Sequence, residues 1–161
     1  MRKKMLSVMS LVLILSFLVC GTANAADMEP RMVDGSYLTM QEKSTGYSPR
    51  RLQRGEYLAD GESIISKAGK DRIYVYGQTT ANTTVNYLAV IVYVEEYNEE
   101  ADRWQQIDAW AETANNTYYV STGKTVNVDG GHYYRVSCAH MAGNQQPYDE
   151  TISATDGIWI D

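Results

Sequence analysis

From Tyr57 to the C-terminus the chain alternates with a period of two, and no stretch repeats apolar residues at the spacing of an amphipathic helix. The clearest run is Val85–Tyr97. It places Leu88, Val90, Val92 and Val94 on one face and Tyr87, Ala89, Ile91, Tyr93 and Glu95 on the other. Successive strand side chains point to opposite faces, so this pattern reads as a half-buried strand. Shorter runs at Glu62–Lys67, Asp71–Thr79, Arg103–Glu112, Thr117–Thr122, Lys124–Val128, His132–Met141 and Thr151–Ile160 repeat the theme. Turn residues separate them: Gly69, Asn98–Asp102, Asn115–Asn116, Asp129–Gly131, and a loop carrying Gly143 and Pro147. Asp156-Gly157 is placed to interrupt the last strand with a bulge. About seven short strands without helices predict an all-β fold, an antiparallel β-sandwich over residues 57–161.

One local pattern sharpens the expectation. In Asp129-Gly130-Gly131-His132-Tyr133-Tyr134-Arg135-Val136 a tight turn opens a strand, with a Tyr two residues before an apolar position. This is similar to the tyrosine corner of immunoglobulin-like and fibronectin type III sandwiches, where a buried Tyr hydroxyl bonds to backbone just upstream. That resemblance implies that Tyr134, Val136 and Cys138 face inward as structural residues, with Tyr133, Arg135 and Ser137 outward.

The N-terminus reads as an address. Arg2, Lys3 and Lys4 precede an apolar run from Met5 to Cys20, and Ala23-Asn24-Ala25 offers a small-residue cleavage site before Ala26. The run is shorter than the roughly twenty residues that span a bilayer. A cleaved secretory signal over residues 1–25 is expected; lipoprotein anchoring at Cys20 lacks the small residue wanted just before the cysteine. Cleavage leaves 11 basic against 20 acidic residues, a net charge of −9, which disfavours nucleic acid and anionic lipid as partners. It also leaves Cys138 as the sole cysteine, so no intramolecular disulfide is available. Residues 26–56 hold Pro30 and Pro49, balanced charge and a basic knot of Arg50, Arg51 and Arg54. They are expected to form a flexible polar arm.

The segment from Arg54-Gly55-Glu56-Tyr57-Leu58 onward resembles a family of short secreted proteins of Gram-positive bacteria with no assigned activity. The landmarks are Gly61-Glu62-Ser63-Ile64-Ile65, Gly77-Gln78-Thr79-Thr80-Ala81, Trp104, Gly130 to Val136, His140 and Thr155-Asp156-Gly157-Ile158. The resemblance implies an extracellular or wall-associated β-domain and brings no catalytic residues with it.

Catalytic options are few. Cys138 and His140 share a strand face, but side chains two apart lie about 6.5–7 Å from one another, too far for direct proton transfer. An inward Cys138 is a small apolar filler. His132 and His140 are about 26 Å apart along a straight strand and cannot share a metal ion. The acidic run Glu95, Glu96, Glu99, Glu100 and Asp102 sits at an expected hairpin tip without the Gly or alternating ligands of a calcium loop, and reads as a solvated edge. No catalytic residue, metal or cofactor is expected.

Aromatics remain. The chain has 13 Tyr and three Trp against one Phe. Tyr74 and Tyr76 alternate away from Ile73 and Val75, and Tyr93 lies opposite the Val face. A row of such rings, backed by Trp104 or Trp110, suits stacking on sugar or gripping a protein. Their high β-propensity supplies a purely structural explanation as well. The expected function is therefore a secreted, non-catalytic binding or structural module with Tyr74, Tyr76, Tyr93, Trp104 and Trp110 as ligand candidates. Its candidate partners are a polysaccharide or an extracellular protein. A carbohydrate- or cell-wall-binding module is the first alternative, and a small secreted hydrolase the second.

Overall fold

In the computed structural model, which describes residues 33–49 and 55–161, the alternating chain forms ten strands and no helix among the described residues. They are β1 (Leu38–Thr39), β2 (Lys43–Tyr47), β3 (Leu58–Lys67), β4 (Arg72–Val85), β5 (Tyr87–Asn98), β6 (Arg103–Ala114), β7 (Thr117–Asn127), β8 (His132–Gly143), β9 (Asp149–Ala154) and β10 (Gly157–Ile160). The strands make two sheets. One runs β2-β3-β4-β7; the other runs β1-β10-β8-β5-β6, with β9 also on β8. All pairings are antiparallel except β1 with β10. The order β3-β4-β7 facing β6-β5-β8 follows the A-B-E and C-F arrangement of an immunoglobulin-like sandwich, with β6 on the C side.

The strongest sequence alternation lies where both layers bury it. Leu88, Val90, Val92 and Val94 of β5 are fully buried, as are Val136 and Cys138 of β8 and Ile65, Ile73 and Val75 of the facing sheet. Each such side chain contributes about 1.5–3 kcal/mol by leaving water. Glycines open room where the layers approach most closely. A Cβ at Gly77 would lie 2.8 Å from Cys138 Sγ, and one at Gly61 would lie 2.3 Å from His140 Cδ2.

The chain changes sheet between β7 and β8, and Tyr134 holds that crossover. Its buried ring sends the hydroxyl to Asp129 O at 2.9 Å and Glu96 Oε2 at 3.1 Å. This is the corner expected from the sequence.

Three departures from the expected layout have physical causes. Part of the segment expected as a flexible arm is strand: β1 lies parallel to β10, and β2 extends the four-stranded sheet along β3. The inward residues of β2 are Ser44 and Gly46, and a Cβ at Gly46 would sit 1.9 Å from Ala154 O. Small inward residues leave no hydropathy signal. Second, Thr117–Thr122 and Lys124–Val128 are not two strands, because Gly123 continues the ladder opposite Tyr76 in β7. Third, the interruption expected at Asp156-Gly157 is a full break into β9 and β10 rather than a bulge. At the break Thr155 answers Val136 with both its N–H, 2.8 Å from Val136 O, and its Oγ1, which accepts from Val136 N at 2.9 Å. The expected signal at 1–25 and the basic knot Arg50, Arg51 and Arg54 lie outside the described residues.

Candidate functional site

The five ligand candidates do not share a surface. Tyr74 and Tyr76 belong to the outer face of the four-stranded sheet, Tyr93 and Trp104 to the outer face of the six-stranded sheet, and Trp110 to the open edge between the layers.

Tyr74 and Tyr76 are two apart on β4, so the ladder sends both outward while Ile73, Val75 and Gly77 point in. Tyr74 pairs with Thr125 and Tyr76 with Gly123 on β7. The missing side chain of Gly123 is what both rings use: a Cβ there would lie 2.7 Å from Tyr74 Oη and 3.2 Å from Tyr76 Cδ2. The rings therefore drape across β7 and leave Tyr74 40% exposed.

Two further rings, which the alternation argument passed over, complete this face. Tyr119 of β7 is exposed, and its hydroxyl oxygen lies 2.7 Å from that of Tyr76. The two hydroxyls converge on Gln78 Oε1, at 2.9 Å from Tyr76 and 3.1 Å from Tyr119. Burial first, then the hydrogen bond with Tyr119, pushes the Tyr76 phenol up to about 12, so it stays a neutral donor. Tyr47 of β2 is also exposed, and its hydrogen bond to Glu62 raises its pKa. Glu62, Gln78 and Ser121 form one row across the sheet beside Tyr47, and Asp60, Thr80 and Tyr119 form the next. The signal that could have found Tyr119 is its register with Thr80, which sequence spacing alone does not supply.

On the other sheet the aromatic rings are engaged in packing. Trp104 lies against Tyr97 with centroids 5.1 Å apart, and the Arg135 guanidinium carbon sits 4.4 Å from its ring centroid. A Cβ at Gly157 would be 2.5 Å from Trp104 Cη2, so the indole covers the backbone of β10. Arg135 is held in turn by Glu95 Oε2 and Gly35 O, each at 2.8 Å. Trp104 thus fastens the β5–β6 hairpin to β8 and β10. Tyr93 is half-buried between Ala109 and Ser137. Trp110 packs on the core, donates from Nε1 to Thr122 Oγ1 at 3.1 Å, and carries Lys124 Nζ 3.8 Å from its ring centroid.

The acidic hairpin is dispersed by its partners. Glu95 holds Arg135, Glu96 receives Tyr134 and faces His132 at 3.7 Å, and Asp102 accepts from Tyr97. Among the described residues no group of three His, Cys, Asp or Glu side chains could hold a metal ion.

The interior contains one polar relay. His140 is fully buried, and each ring nitrogen has a partner at 2.8 Å: Thr79 Oγ1 at Nδ1 and Ser153 Oγ at Nε2. Thr79 donates its hydroxyl hydrogen to Ala89 O, so it must accept from His140 Nδ1–H. That leaves His140 Nε2 as acceptor for Ser153. The order matches a nucleophile, base and orienting group. Ser153 is 2% exposed and His140 0%, so the relay is closed to solvent by the described residues. Burial lowers the imidazole to about 4 and raises the Cys138 thiol to about 12, which keeps both groups uncharged near neutrality.

Residues 25–157 match the family of unknown function DUF6147, and the chain belongs to that family. No curated protein and no solved structure matches the chain.

Proposed function

We propose that this protein is a secreted, non-catalytic binding module that presents the tyrosine face of its four-stranded sheet to an extracellular partner. One observation carries the reading: Tyr74 and Tyr76 lie against Gly123 on the outer face, Tyr74 and Tyr119 are exposed there, and the Tyr76–Tyr119–Gln78 contacts hold Tyr76 and Tyr119 in place. Rings held in place before binding have less conformational freedom to lose when a ligand arrives. The leader-like N-terminus supports export, and the net charge of −9 after its removal supports a partner other than nucleic acid or anionic membrane. The Cys–His form of the hydrolase alternative draws on Cys138 and His140, which are both closed to solvent.

Two experiments test this. Expressed as the full chain in a Gram-positive host, the protein should accumulate in the medium or wall fraction with Ala26 as its first residue; retention in the cytoplasm with Met1 would refute export. For the face, tyrosine nitration in the presence of cell-envelope fractions should protect Tyr74 and Tyr119 while Tyr118, 59% exposed on the same strand, continues to react. Equal reaction of all three with every fraction would refute the face.

A further inference from the structure

We infer that the ligand of this face is a neutral glycan chain, lying along β4 and β7 with its sugar rings over Tyr74 and Tyr76. The inference rests on the binding-face reading above and adds the chemistry of the ligand.

Three features point to sugar rather than protein. The first is composition. The outward positions of β3 are Asp60, Glu62, Ile64 and Ser66 and those of β4 are Tyr74, Tyr76, Gln78 and Thr80, so two neighbouring rings adjoin polar side chains and Ile64 is the sole aliphatic side chain among them. A protein-docking face is apolar at its centre and polar at its rim. Here a pair of rings adjoins polar groups without an apolar centre, which suits a ligand whose own surface carries both C–H faces and hydroxyls. The electron-rich face of a phenol ring attracts the polarised C–H groups of a pyranose.

The second is the state of the acceptors. Glu62 and Gln78 sit in the same cross-strand row, half-exposed, directly beside the rings. Gln78 Oε1 already accepts from Tyr76 and Tyr119 and Glu62 is hydrogen-bonded to Tyr47, which leaves the Gln78 amide N–H as donor and the second Glu62 oxygen as acceptor for vicinal hydroxyls. The third is charge and shape. The exported chain is acidic, and Asp60 and Glu62 lie within the face, so a polyanionic polymer would be repelled. From the level of Thr80, opposite Tyr119, down to Tyr74 the column spans six residues, about 20 Å along the strand. It is a flat track for an extended chain rather than a pocket for a monosaccharide.

The test is affinity electrophoresis of the folded full chain through gels containing soluble neutral polysaccharides, with alginate as a polyanionic control. Retardation is expected in at least one neutral gel and not in alginate. Tyr74→Ala, at an exposed site that leaves the core intact, should weaken retention about tenfold. Glu62→Gln should weaken it by less, and Tyr118→Ala should leave it unchanged. Retention of Tyr74→Ala equal to the parent would overturn the inference. So would migration unaffected by every neutral polymer while an envelope protein still protects Tyr74 and Tyr119 from nitration, an outcome that leaves the binding face standing with a protein partner. Absence of protection by any fraction would remove face and glycan together.

Discussion

The outer faces of the two sheets are both rich in aromatic rings and use them in opposite ways. On the six-stranded sheet Trp104 is consumed by packing: Tyr97, Arg135 and the Gly157 backbone surround it. On the four-stranded sheet Tyr119 is held through its hydroxyl, Tyr74 rests against Gly123, and both remain exposed. An aromatic ring is available to a ligand only when its neighbours restrain it from the side rather than from above. Glycine decides which: at Gly157 the missing side chain receives a ring from another strand pair, and at Gly123 it lets two rings lie down on the surface.

Breaking one face at a time tests this contrast. Trp104→Ala should carry the largest stability loss, about 3 kcal/mol, since it strips a packed indole from β10 and Arg135. Urea unfolding measures that loss, and nitration protection on the opposite face should survive it. Tyr74→Ala should do the reverse, shifting stability by no more than about 0.5 kcal/mol while abolishing its share of ligand protection.

Acid probes the layer between the faces. The imidazole of His140 is held at about 4 in the folded protein, below its ordinary 6.5, so between those values the unfolded chain binds a proton that the native one refuses. Stability from this group is complete above pH 6.5 and falls as pH drops towards 4, by about 3 kcal/mol in all. The loss relative to pH 7 should be smaller by that amount in His140→Gln. An identical pH profile for the two proteins would show that the relay does not control acid sensitivity. A smaller effect belongs to the corner. Tyr134→Phe removes the hydroxyl that reaches Asp129 O and should cost about 1–2 kcal/mol, with the ligand face untouched.

Much of this molecule was legible where apolar parity runs unbroken. The β5 face follows from period two, and the Tyr134 corner with the inward thiol of Cys138 follows from the resemblance of Asp129–Val136 to a tyrosine corner. The same parity runs on from Tyr134, Val136 and Cys138 to His140, so the burial of that imidazole was available to sequence reasoning and was obscured by its polarity. What stayed hidden is carried by residues without a hydropathy signature. Ser44 and Gly46 hide β2, and the Thr155 side chain divides the last strand by standing in for backbone. The site was half visible. Tyr74 and Tyr76 announce themselves by alternation, whereas Tyr119 joins them through cross-sheet register, and Trp104 and Trp110 were separated from them only by the assignment of strands to different layers.

The parallel pairing of β1 with β10 has a mechanical consequence. Leu38 lies opposite Gly157 and Thr39 opposite Ile158, with Gly157 N bonded to Tyr37 O at 2.8 Å. Tension applied between residues preceding β1 and the C-terminal end of β10 pulls these neighbours past each other along their length. The contacts joining them are then loaded together, as in a lap joint, instead of opening one after another like a zip. A domain held at one end and tugged at the other would meet that force first at its termini, away from the tyrosine track.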